Sequence, residues 1–140
     1  MSHDVGLGTD SNEANVVAER DFSSARISDT CRFIAFGILA ATFSLLIADP
    51  KTEAHALLAA NRNMFLLSAE LSALALIFDY LHYVCANSAA NAALKTNFLY
   101  DITSLSYRLG GKLYYAKQIM VIVSALIFVV VIALFGLTQP

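Results

Sequence analysis

Three largely apolar stretches run through this chain, separated by polar segments of different kinds. They are Phe33–Ala48 (FIAFGILAATFSLLIA), Met64–Ala86 (MFLLSAELSALALIFDYLHYVCA) and Ile119–Leu137 (IMVIVSALIFVVVIALFGL). A helix of ~20 apolar residues crosses the hydrocarbon core of a bilayer. With Cys31 and Arg32 added, the first stretch is a minimal span of ~25 Å at 1.5 Å per residue. The third carries no charge at all. Its Val and Ile content suits a strand, but its unbroken length argues for a lipid-facing helix.

The segments between the stretches carry their own signals. Asp49-Pro50-Lys51-Thr52-Glu53 reads as a helix start, with Asp49 as N-cap, Pro50 in the first helical position and acid in the first turn. No Gly or Pro follows before Ala86, so one helix of ~55 Å is expected. Its Pro50–Asn63 part should project beyond the bilayer or lie on its surface. After Asn87, Leu94, Phe98, Ile102, Leu105 and Leu109 recur at offsets of four and three, the stripe of an amphipathic helix. Gly110-Gly111 should stop or hinge that helix. Lys112, Tyr114, Tyr115 and Lys117 then form a collar of interfacial type.

The fold expected is an all-α integral membrane protein with three transmembrane helices. A polar acidic tail (1–30) precedes a transmembrane hairpin (31–90, spans about 32–48 and 64–86). An amphipathic cytoplasmic segment (91–117) then leads to the third span and C-terminus (118–140). Residues 1–20 show no apolar period and are expected to be disordered in isolation. Their first basic residue is Arg20, so no cleaved secretory signal is read.

Composition agrees: 58% of the 140 residues are hydrophobic and 14% charged, against ~25% charged in soluble domains. Residues 1–30 hold Asp4, Asp10, Glu13, Glu19, Asp21 and Asp29 against Arg20 and Arg26. The body is mildly basic. Arg20, Arg26 and Arg32 precede the first span, and Lys95, Arg108, Lys112 and Lys117 lie between the second and third. The opposite side has Lys51 and Arg62. Basic residues stay cytoplasmic, which puts the N-terminus inside and Pro140 outside a plasma or inner membrane.

Candidate chemistry is sparse. Cys31 and Cys85 have neither metal-binding nor redox spacing. No metal cluster, phosphate-cradling glycine loop or nucleophile elbow is present, so the chain is expected not to be an enzyme and to need no cofactor. Its few dispersed basic residues exclude a nucleic-acid surface, and no small-molecule substrate is inferred. What remains is the second stretch, with Glu70 in its middle and Asp79 and His82 towards its end. Ionisable groups at such depth face a protein interior or water.

Glu70 and Asp79 lie nine positions apart, so they point ~180° away from each other on a helix. Asp79 shares a small polar face with Ser68, Ser72 and Ala75. That face should pack on a stripe of small residues in the first span, Gly37, Ala41 and Ser44, since small residues let membrane helices approach closely. Glu70 shares its face with Leu74, Ile77 and Leu81. Glu70, Asp79 and His82 are the candidate interface, ion or proton residues, with Asp79 and His82 read first as part of an interfacial belt with Phe78, Tyr80 and Tyr83. Two functions fit. One is a non-catalytic subunit or scaffold of a larger membrane assembly, its partners being the bilayer and other subunits or copies of itself. The other is a homo-oligomeric channel or pore lined by the second span.

Overall fold

A computed structural model describes residues 6–95 and 101–138. These form three helices, α1 (Gly6–Leu46), α2 (Glu53–Leu94) and α3 (Leu105–Thr138). All three are long and apolar enough to cross a membrane. The chain divides into two compact units, Met1–Thr30 and Cys31–Pro140.

In the first unit, the described residues are helical from Gly6 onwards, where the sequence suggests a disordered tail. Extending an existing helix needs no new nucleus, and Ala18 and Glu19 are good helix formers.

The second unit carries the packing. Its first turn corrects the expected start of α2. The Asp49 side chain accepts from Lys51 N at 2.9 Å, and its carbonyl accepts from Thr52 N at 2.9 Å. Asp and Pro in the first two positions suit a β-turn, so Asp49 serves the turn instead of the helix. Thr52 is the N-cap, its hydroxyl accepting from His55 N at 3.4 Å. Nor is α2 straight. Asn61 leaves helical geometry at φ −133° and ψ 26°. No Pro or Gly stands there, and Asn is a weak helix former whose side chain competes with the backbone.

Beyond the bend, α2 and α3 pack antiparallel along one seam. On α2 it runs through Phe65, Ser68, Ser72, Ala75, Asp79 and His82. On α3 it returns through Val131, Phe128, Ser124, Val121, Lys117 and Tyr114. Both helices use alternating steps of three and four, the spacing of a coiled-coil seam. The Phe65 and Phe128 rings meet edge-to-face at 5.4 Å. Ala75 and Val121 share one apolar cluster with Ala35, and Phe65 and Val131 share another with Leu58. Helix α1 enters both, through Cys31 and Ala35 in the first and Leu45 in the second.

Two expectations for the connection fail. Gly110 and Gly111 lie inside α3, which starts at Leu105. Two mid-helix glycines cost about 1 kcal/mol each; the contacts of α3 with α2 offset that. Leu94 ends α2 while Leu105 starts α3, so these members of the amphipathic stripe belong to two different helices. Phe98 lies outside the described residues.

Candidate functional site

One carboxylate ties the three helices together. Asp79 on α2 is ion-paired to Arg32 Nε through one oxygen and to Lys117 Nζ through the other. Lys117 is 1% exposed and Asp79 6%. A buried charge must be paired and hydrogen-bonded to be tolerated, and two cations on one carboxylate achieve that. They leave one surplus positive charge, which aromatic faces meet. The Arg32 guanidinium stands 4.9 Å from the Tyr83 ring centroid, and Lys117 Nζ 5.1 Å from that of Tyr114. Ring faces attract cations at such distances.

His82 sits one turn away along the seam. Its Nδ1 donates to the Gly110 carbonyl at 2.9 Å, which fixes the proton on Nδ1, since a carbonyl only accepts. Its ring also tilts against Tyr114 at 5.5 Å. This imidazole is therefore a strut between α2 and α3.

Seven residues from Asp79 along α2, and seven from Lys117 along α3, lies a knot of hydroxyls. Ser68 Oγ donates to the Ser124 carbonyl at 2.8 Å, and Ser124 Oγ donates to the Ser68 carbonyl at 2.6 Å. Both protons are then used, so the 2.7 Å contact between Ser72 and Ser124 has Ser72 as donor. All three side chains are fully buried. The Ser68–Ser72–Ala75 face thus meets α3 as its main neighbour, where the sequence suggests the stripe of α1.

That stripe points elsewhere. In the second unit, the buried face of α1 is Ala35, Ile38 and Thr42, with half-buried Cys31 and Leu45. Gly37 and Ser44 are exposed, Ala41 is half-buried, and apart from its neighbours in α1 no described residue lies within 4 Å of a Cβ placed on Gly37. Gly37 stands ~200° round the helix from Ala35, so the two cannot share a face. Thr42 is buried, and its hydroxyl has no partner among the described residues.

Glu70 is also exposed, beside exposed Leu67, Leu74 and Ile77. No group among the described residues pairs with it. The structure thus separates the three ionisable candidates, with Asp79 and His82 inside the seam and Glu70 outside it.

Arg32, Lys117 and Ser124 are the members that sequence reasoning missed. A signal for them exists. Ser72 and Asp79 are seven apart on one stripe of α2, and Lys117 and Ser124 are seven apart on one stripe of α3, in the reverse order an antiparallel pair requires. Comparison with protein families, curated proteins and solved structures finds nothing that matches this chain.

Proposed function

We propose that the protein is a non-catalytic integral-membrane subunit or scaffold that joins other membrane helices through the outer face of α2. The observation that carries this reading is the contrast between its two intramembrane carboxylates. Asp79 is neutralised within the chain, whereas Glu70 is exposed and has no partner among the described residues.

Depth sharpens the contrast. With the Ser72–Ser124 contact at the midplane, about ten residues either way fill a ~30 Å core at 1.5 Å per residue. That window runs from Arg62 to His82 on α2 and from Tyr114 to Leu134 on α3. Its edges carry Arg62 at one side and Tyr83, Tyr114 and Tyr115 at the other, as interfacial anchors should. Glu70 then lies ~3 Å from the midplane. A carboxylate facing lipid there is costly, and a neighbouring helix that offers it a polar group removes the cost. The open Gly37–Ala41–Ser44 face of α1 gives such neighbours a second place of close approach.

A pore lined by the second span loses one of its two carboxylates in this arrangement, because Asp79 is committed to Arg32 and Lys117. Only Glu70 remains to face water. The positive-inside bias of Arg26, Arg32, Lys95, Arg108, Lys112 and Lys117 favours the N-terminus on the cytoplasmic side of a plasma or inner membrane.

Mass in native detergent and in nanodiscs tests the reading. A subunit should be recovered with unlike membrane chains, retained in Glu70→Gln and lost in Glu70→Leu. A purified symmetric multimer whose current in reconstituted bilayers depends on Glu70 would overturn it.

A further inference from the structure

We infer that Arg108 and Lys112, at the start of α3, bind the phosphate of an anionic phospholipid headgroup. The inference rests on the bilayer placement above and is independent of the subunit reading.

Three observations converge on this pair. First, the two residues are four apart on one helix, so they share a face, and with Thr103, Leu105 and Leu109 they line an open cleft of about 320 Å³. Second, their charge is uncommitted. Of the other cations at this end of the second unit, Arg32 and Lys117 hold Asp79, and Lys95 stands outside the cleft at the end of α2. The nearby carboxylate of Asp101 accepts from Thr103. Arg108 and Lys112 are exposed, and no carboxylate among the described residues pairs with either.

Third, their depth fits. The window places the core boundary near Tyr114, so Lys112 and Arg108 stand ~3 and ~9 Å beyond it along α3. The headgroup layer occupies roughly that zone.

The chemistry of the lining selects the ligand. A guanidinium fork matches phosphate oxygens in a planar bidentate contact, and an ammonium adds a point charge beside it. Leu105 and Leu109 give the cleft an apolar wall that a lipid can use and a free anion cannot. Basic side chains next to a span are also where the negative potential of the inner leaflet acts.

The test is native mass spectrometry of the full-length protein in mild detergent. It is titrated with phosphatidylglycerol or with phosphatidylcholine of the same acyl chains. The wild type should bind phosphatidylglycerol in preference, and the Arg108→Gln/Lys112→Gln double variant should lose that preference by up to about 30-fold, at about 1 kcal/mol for each cation. Helix content by circular dichroism should be unchanged in the double variant, both residues being exposed. The charge-conserving Arg108→Lys/Lys112→Arg pair should keep most of the preference, and Lys95→Gln, outside the cleft, should keep all of it. Equal binding of the two lipids by the wild type would overturn the inference, as would a preference that survives the double variant. Displacement of the lipid by inorganic phosphate, but not by chloride at equal ionic strength, would assign the cleft to a free anion and overturn it too.

Discussion

Ser68 and Ser124 each donate a hydroxyl proton to the other's backbone carbonyl, across the α2–α3 seam. Ser124 also accepts from Ser72, so three polar side chains share one proton order. In lipid, where the proposed reading puts this seam, there is little hydrophobic drive between helices, and association rests on close packing and interhelical hydrogen bonds. These hydroxyls would serve both.

Ser124 should therefore matter more than either partner. Ser124→Ala removes its own bond and the acceptor for Ser72. Intramembrane bonds average ~0.6 kcal/mol and reach ~1.7. A loss of about 1–2 kcal/mol is expected for Ser124→Ala, and about half that for Ser72→Ala. Unfolding titrations of the purified protein in bicelles measure both. Equal losses would show that Ser124 is not the hub.

The Asp79 site gives a sharper test. Asp79→Asn leaves Lys117 buried opposite a neutral group, and breaking a buried pair in this way costs about 3–5 kcal/mol. The Asp79→Asn/Lys117→Gln double variant removes the stranded charge and should regain part of the loss. Arg32 has a third of its side chain exposed, against 1% for Lys117. It can turn to water, so Arg32→Gln should cost less than Lys117→Gln. A double variant worse than the sum of its singles would mean that the ion cluster does not act as a unit.

The three long helices were legible because a largely apolar run near span length has few alternatives. Which faces meet was harder to read. In lipid a face of Gly and Ala and a face of Leu both read as apolar, so Gly37, Ala41 and Ser44 looked like a seam while the deciding residues were Ser124 and Lys117. Lys117 stands next to Tyr114 and Tyr115, and in sequence it resembles a snorkelling interfacial lysine. Only the matching register of Asp79, seven residues from Ser72, reveals its place. Asp49 misled for a related reason, since Asp-Pro suits a β-turn as well as a helix start.

The glycines separate a seam from an open face. A Cβ on Gly110 would lie 3.5 Å from Cys85 Cβ, whereas one on Gly37 would meet no described residue within 4 Å apart from its neighbours in α1. Gly110→Leu should disturb α2–α3 packing by about 1–3 kcal/mol, the usual range for overpacking. Gly37→Leu should leave the stability of the isolated chain unchanged or raise it by up to about 1 kcal/mol, since a mid-helix glycine is removed. Thermal unfolding of the two variants, purified without other chains, decides. Comparable destabilisation would place Gly37 on an internal contact.

At the turn before α3, Asp101 Oδ1 accepts from Thr103 Oγ1 at 2.6 Å and from Thr103 N at 2.9 Å. These bonds favour the ionised form and hold the carboxyl below its usual pKa, the hydroxyl of Thr103 being the larger cause. The sign follows from linkage. The turn is supported at pH above the ordinary carboxylate range, and the support is lost as pH falls through the lowered value. A carbon-13 titration of the Asp101 carboxyl should show the depressed value, and Thr103→Val should move it back towards normal. An unchanged titration in that variant would rule the hydroxyl out as the cause.

The proposed membrane topology makes its own prediction. Cys31 packs near Ala35, Ala75 and Val121, and Cys85 lies against Gly110. Both thiols therefore sit towards the end of the second unit that carries Lys117 and Lys112. The turn with Lys51, between α1 and α2, lies at the opposite end. If the basic end is cytoplasmic, an impermeant maleimide added outside intact cells should label neither native cysteine. It should label Lys51→Cys, because Lys51 is exposed. The half-buried native thiols can be slow from either side, so the introduced cysteine carries the decision. Protection of Lys51→Cys in intact cells, with labelling only after permeabilisation, would invert the protein in its membrane. The Arg108–Lys112 cleft would then face the outer leaflet, where the anionic lipids that supply its ligand are scarcer.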